Sequence, residues 1–236
     1  MVEIDGANGE GGGQVLRSSL PLSALTGEPL VIHDIRANRN QPCLRPQHLA
    51  AVNAISKITQ AQVEGNHLDS TFVQLIPNKP KGGTYHFDIS TAGAFSLVLQ
   101  TIFLPLSFTQ GRSQTLLTGG THVQWSPIWH NLQECWLPLM SRLGIKAKIQ
   151  LESSGFYPHS CGKVQVNILP VQVLNPFVCL EHGKLRRIEG LSGVANLDIT
   201  ITKRQKHQAL RRLYDVCRES KSKPFKFPRW AKVLLY

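Results

Sequence analysis

The run Gly9-Glu10-Gly11-Gly12-Gly13-Gln14 stands directly before an apolar segment with helical spacing. Glycines let backbone amides approach an anion closely, and a helix N-terminus carries partial positive charge. The run therefore fits a phosphate cradle as readily as a tight surface turn. No Lys-Ser or Lys-Thr closes it, so it is not a Walker phosphate loop, and it does not follow a strand as GxGxxG. Glu10 would repel a phosphate unless a divalent cation stood between them, which makes it a candidate metal-side carboxylate. Arg17 follows one turn into the segment, and Arg36, Arg39 and Arg45 come soon after with Gln47 and His48. Planar guanidinium groups match phosphate oxygens two at a time, so the set suits a terminal phosphate, although singly such arginines are more often surface ion-pair partners. Gln100, within Leu97-Val98-Leu99-Gln100-Thr101-Ile102, reads as a buried amide that needs either a ligand or a backbone partner. The segment from Gly119 to Pro127 forms turns and carries Trp125; it suits the packing of a purine ring, or is simply a loop.

The elements that must position these residues come in two copies. Leu20-Pro21-Leu22-Ser23 recurs as Leu104-Pro105-Leu106-Ser107, 84 positions later. Each copy sits in an apolar segment, Gln14 to Thr26 and Ala94 to Thr109, that reads as a buried helix, with a kink or break expected at the proline. A second helix is predicted in each copy. One runs from Arg45 to Ile58 with Leu49, Val52 and Ile55 on one face, and the other from Asn131 to Leu143 with Leu132, Trp136, Leu139 and Leu143 on one face. Strand-like runs cover Pro29 to Ile35, Thr71 to Ile76, Tyr85 to Ile89, Gln114 to Thr118, Lys146 to Leu151 and Lys163 to Leu169. The pattern implies an α/β fold of tandem αβ units, with sheet and helix layers. After Pro176 it changes: Leu185 to Ile201 reads as strand and turn, Thr202 to Ser220 as a basic helix. Lys221 to Trp230, with two prolines and alternating lysine and aromatic residues, reads as irregular, ahead of a short strand at Val233 to Tyr236.

A chain of 236 residues with 42% hydrophobic and 17% charged residues can bury a substantial core. No run approaches the roughly 18 apolar residues of a membrane span, and Met1 to Asp5 lacks a basic-then-apolar leader, so a soluble cytoplasmic protein with no membrane partner is expected. Five scattered cysteines form no CxxC pair, which favours isolated thiols over a disulfide framework or a structural zinc site. Of the net charge of +11, +9 lies between Lys203 and Tyr236. Basicity is thus a property of the tail, which reads as a solvated segment more readily than as a specific RNA site.

Taken together, these segments resemble the RNA 3'-terminal phosphate cyclase family, over Val2 to about Leu213. The resemblance is carried by Asp5-Gly6-Ala7 with Glu10 to Arg17, Ile35-Arg36-Ala37-Asn38-Arg39, Leu44-Arg45-Pro46-Gln47-His48-Leu49, Thr91-Ala92-Gly93 through Gln100, Gly119-Gly120-Thr121, and Gly155-Phe156-Tyr157-Pro158. It implies a large domain of three repeated αβ units with a smaller αβ domain inserted before the third. Residues 1–180 would then form large-domain units one (about 1–83) and two (about 84–176), and 181–236 the start of the insert.

The resemblance implies a ligase that uses ATP and Mg²⁺ or Mn²⁺ to convert an RNA 3'-phosphate into a 2',3'-cyclic phosphate, through an adenylylated histidine. Glu10 matches the family's metal-side carboxylate. Arg17, Arg39 and Gln47 match its phosphate-handling groups, and Gln100 and Pro127 its nucleotide contacts. The family's nucleophilic histidine belongs to the third unit, so the resemblance implies that this chain is truncated before it, which leaves both an active and an inactive chain open. His48, in the matched Gln-His pair, and His122, in the nucleotide-side loop, are no obvious substitutes. The apolar surface left by the third unit predicts self-association. Asn38 and Cys43 stand where the family has glycine, and His159-Ser160-Cys161-Gly162 replaces a glycine-rich run. The alternative is a non-catalytic RNA-binding protein of cyclase type.

Overall fold

The structure, a computed structural model, describes residues 1–89, 93–158, 160–181, 183, 188, 190–219 and 232–235, with side chains up to 215. The chain divides into two compact units, Met1–Phe177 and Val178–Tyr236.

In the first unit, β1 (Val2–Asp5) leads through the glycine run into α1 (Gly13–Thr26), β2 (Leu30–His33), α2 (Pro46–Thr59), β3 (Gln62–Glu64) and β4 (Val73–Ile76). The strands form a sheet of order β1-β2-β4-β3, parallel between β1 and β2 and antiparallel elsewhere. The chain then continues through β5 (Thr84–Asp88), α3 (Phe95–Ser107), β6 (Ser113–Gly119), α4 (Trp129–Asn131), a π-helical turn (Leu132–Trp136), α5 (Leu137–Arg142), β7 (Ala147–Ser153) and β8 (Gly162–Ile168). Its sheet has order β5-β6-β8-β7, again parallel in the first pair and antiparallel in the others. The two sheets thus share one strand order and one pattern of directions, a mixed α/β architecture.

One hydrophobic cluster holds this unit together. Leu16, Leu20 and Ala24 repeat every four residues along α1 and are buried with Val52, Ile55 and Ile58 of α2 and Phe95, Leu99, Ile102 and Leu106 of α3. Inward-facing Ile32, Leu75, Leu117 and Val166 of the sheets close the cluster. Each such side chain contributes about 1.5–3 kcal/mol on burial. α1 ends at Gly27, whose left-handed φ of 77° lets its N–H donate to the Ser23 carbonyl. Pro46 opens α2 at a position where no N–H is needed.

Three expectations are corrected. Of the kink or break expected at each proline, the break does not occur at Pro21 or Pro105: α1 and α3 continue through them, and both prolines are buried. The second helix of the later half is not one α-helix from Asn131 to Leu143. Its π turn inserts five-residue spacing, so Leu132 and Leu137 are buried while Leu139 is 46% exposed. Finally, β1 and β3 escape the strand pattern because both are short edge strands with little buried surface.

In the second unit, β9 (Leu191–Val194) pairs in parallel with β10 (Lys232–Leu235), and α6 (Thr200–Glu219) packs beside β9. Ser192 Oγ donates to Gln205 Oε1 at 2.7 Å. Thr91 and Ala92, His159, Leu185 at the start of the expected strand, the segment 221–230 and Tyr236 lie outside the described residues. Among the described residues, no helix is long and apolar enough to cross a membrane.

Candidate functional site

Two cavities meet at the start of α1. The first, of about 580 Å³, is bounded by Glu10, Gly12, Gly13 and Arg39; the second, of about 450 Å³, by Gln100, Trp125, Pro127 and Trp136. Gln14 and Arg17 line both. Glu10, Arg17 and Arg39 therefore face a space adjoining the one that Gln100 and Pro127 line.

The first cavity is shaped by packing behind the glycines. A Cβ on Gly12 would meet Arg39 Nη2 at 2.9 Å, and one on Gly13 would fall on His48 Nε2 and crowd Arg17 Nη1. Gly11 has φ +53°, in the left-handed region that favours glycine. α1 begins without a side-chain cap and without an acid in its first turn, which leaves its N-terminal amides to a ligand or to solvent. Arg17 Nη2 donates to Gln14 Oε1 at 3.2 Å, while its Nε is buried with no hydrogen-bond partner. Burial, then the nearby cation of Arg36, lowers the Arg17 pKa. A half-buried cation with an unused donor and a cationic neighbour favours an anionic ligand.

Arg39 Nη2 reaches Glu10 Oε2 at 3.2 Å, an exposed pair in which the Glu10 side chain is 92% accessible. Arg36 Nη1 donates to the Cys43 carbonyl at 3.0 Å, and Arg45 Nη1 to Asp69 Oδ1 at 2.8 Å. His48 sits beneath this cluster. Its Nδ1 accepts the Arg45 N–H at 3.3 Å, and burial, followed by the charges of Arg36, Arg17 and Arg45, pushes its pKa down to about 3. It is neutral at physiological pH and serves as packing behind Gly13.

Two candidates are placed differently from expectation. Gln47 lines neither cavity: its Oε1 accepts the Ala94 N–H at 3.2 Å and so ties α2 to the start of α3. Gln100 is not buried but exposed on the wall of the second cavity, because α3 turns Phe95, Val98, Leu99 and Ile102 to the core and leaves this position outside. Its amide is thereby presented to the cavity. The sequence reading missed Gln14, Asn131 and Trp136 as cavity walls. Only Gln14, the last residue of the glycine run, carried a signal that could have found it.

For a divalent cation, Glu10 is the one carboxylate among the described residues that lines the two cavities, and such a cation characteristically completes its shell with phosphate oxygens and water. A separate group, Asp5, His33 and Asp34, brings three donor atoms within 4.8 Å of one another at the ends of β1 and β2, outside both cavities. His33 Nδ1 and Asp34 Oδ2, 2.9 Å apart, already pair with each other there.

In the loop that carries Trp125 and Pro127, His122 is held at both ring nitrogens, with Nδ1 2.7 Å from Thr121 Oγ1 and Nε2 3.0 Å from His130 Nδ1, and it stacks on Phe156. Burial, then His130, lowers its pKa to about 4. A larger cleft of about 1030 Å³ lies at the opposite, C-terminal ends of α1 and α3, and none of the singled-out residues lines it.

A family described as RNA 3'-terminal phosphate cyclase matches residues 8–219. The RNA 3'-terminal phosphate cyclase of Nostoc punctiforme is 42% identical over 216 residues, covering 89% of this chain and 62% of that protein. That of Trichormus variabilis is 44% identical over 216 residues, with the same coverage of 89% and 62%. That of Pyrococcus furiosus is 40% identical over 213 residues, covering 90% and 62%. The chain spans about three fifths of the length of these curated relatives.

Proposed function

Because the chain belongs to the RNA 3'-terminal phosphate cyclase family, we propose that its two adjoining cavities are the phosphate and nucleotide sides of a site that uses ATP on an RNA 3'-phosphate, in the reaction ending in a 2',3'-cyclic phosphate. The observation that carries this reading is Arg17, a half-buried cation with an unpartnered Nε that borders both cavities beside the uncapped start of α1. Arginine there suits a phosphate shared between two bound groups.

When bound, ATP supplies the adenylyl group, and Mg²⁺ or Mn²⁺ on Glu10 neutralises phosphate charge. The chain's own residues do the rest. The first amides of α1 and the Arg17 guanidinium bind phosphate oxygens, Arg39 offers a second guanidinium beside them, and Glu10 is the residue that would hold the cation. Gln100 orients the nucleotide through its exposed amide, and Pro127 offers it an apolar wall. Gln47 acts indirectly, by fixing the start of α3.

The same reading takes the two sheets as repeated units, about 1–83 and 84–176, and 181–236 as the start of an inserted domain; the shared strand order supports it. It also holds that this chain does not adenylylate itself. His48 is packed behind Gly13, and both ring nitrogens of His122 are engaged.

The test is incubation with α-labelled ATP and Mg²⁺ or Mn²⁺, read by filter binding and by denaturing electrophoresis. Reversible ATP binding that weakens about tenfold in Arg17→Ala, with no protein-bound AMP, is the expected result. Label that survives denaturation would show a nucleophile within these residues. Oligonucleotide binding with no ATP binding would point instead to a non-catalytic RNA-binding protein.

A further inference from the structure

Trp125 is the most exposed of the large hydrophobic side chains among the described residues, at 96%. Its backbone adopts φ +63°, a left-handed conformation that a non-glycine residue takes only where its surroundings impose it. Exposing an indole costs hydration free energy, and the backbone conformation costs more. Both costs are local, and at 96% exposed the indole gains little compensating burial among the described residues.

The surroundings that impose this conformation are well defined. The loop carrying Trp125 is pinned at its base. The Trp129 N–H donates to the Thr121 carbonyl at 3.1 Å, and the His122 ring bridges from Thr121 Oγ1 to His130 Nδ1. Phe156 stacks beneath His122, with ring centroids 5.1 Å apart. Ser126 Oγ donates to the Val123 carbonyl at 3.2 Å. The loop is thus braced on both sides of Trp125, while the indole itself stands at the rim of the cavity lined by Arg17, Gln100 and Pro127. A braced, strained and solvent-facing aromatic at the mouth of a ligand cavity has the form of a stacking platform.

We propose that Trp125 stacks on the 3'-terminal base of the RNA strand whose phosphate lies beside Arg17. This inference rests on the function proposed above and adds a recognition element to it. The cavity interior, about 450 Å³, has the volume of one small ligand, with Gln100, Pro127 and Trp136 among its walls. Trp125 borders that space too, yet at 96% exposed its indole stays open to a partner that arrives from solvent, as the last base of a strand does. Every base has a π face, so such a platform accepts any terminal base and confers a preference for an unpaired end over a duplex end.

The experiment measures binding of the 236-residue chain to a fluorescein-labelled pentaribonucleotide carrying a 3'-phosphate, by anisotropy, alongside filter binding of ATP. A second oligonucleotide has an abasic 3'-terminal nucleotide with the same phosphate. Trp125→Ala is expected to bind the intact oligonucleotide roughly tenfold more weakly and the abasic one as the wild type does, with Trp125→Phe recovering most of the loss. Equal affinity of wild type and Trp125→Ala for the intact oligonucleotide, in a protein that binds both ligands, overturns the role of Trp125 and leaves the site reading intact. A loss confined to ATP assigns the indole to the nucleotide base and also overturns it. A wild type that binds neither ligand overturns both this inference and the function it rests on.

Discussion

His48 Nε2 occupies the space that a Cβ on Gly13 would need, with Arg17 Nη1 bordering the same point. The first residue of α1 and the first turn of α2 are thereby interlocked, and the interlock holds Arg17 at the cavity. Gly13→Ala must displace the imidazole or the helix start. It is expected to cost about 1–3 kcal/mol of stability, seen as a lowered denaturant midpoint, and to weaken ATP binding. Gly111→Ala, where a Cβ meets nothing within 4 Å, should do neither.

Acid should destabilise the protein through the same imidazole. With a folded pKa of about 3 against an ordinary value of 6.5, His48 binds its proton mainly in the unfolded chain. Its contribution is complete above pH 6.5 and is lost as pH falls from there toward 3. His122, at about 4, adds in the same direction. Urea midpoints should fall between pH 6.5 and 4, on the order of 2 kcal/mol from His48, and His48→Gln should flatten that slope.

Arg17 is expected to trade stability for binding. Arg17→Met removes a buried Nε without a partner and keeps the stem's packing, so the melting temperature should hold or rise slightly. ATP affinity should fall at least tenfold, a dissociation that isothermal titration can read directly.

The Glu10–Arg39 pair lies on the surface, so its contribution to stability is at most about 1 kcal/mol. Glu10→Gln should melt like the wild type. The dependence of ATP binding on Mg²⁺ or Mn²⁺ should disappear with it, which titration of the cation at fixed ATP would show.

The π turn makes a prediction that ordinary helical periodicity reverses. Leu137→Ala, at a side chain only 9% exposed, should cost about 2–4 kcal/mol, whereas Leu139→Ala, 46% exposed, should cost less than about 0.5 kcal/mol in the same chemical-denaturation assay.

The amino-acid sequence by itself determined the inventory: the glycine run with Glu10 and Arg17, the recurrence of Leu-Pro-Leu-Ser at 84 positions, the long helices and the more buried strands. These are local properties, since glycine freedom, helical spacing and period-2 alternation are fixed by residues a few positions apart. Membership of the family was legible too, because several of its motifs, such as Ile35 to Arg39 and Leu44 to Leu49, recur in order. Only the tertiary structure decided what the inventory does. Gln100 reads as buried from its apolar neighbours, yet the side of α3 it occupies is set by how α1 and α2 pack against that helix. Gln47 sits among phosphate-handling candidates in the chain, but its amide is claimed by Ala94, 47 residues away. That Arg17 borders two cavities at once, and that Trp125 stands unpacked at the rim of one, follow from contacts between segments about a hundred residues apart in sequence. Distances of that kind are set by packing the core, and no local pattern encodes them.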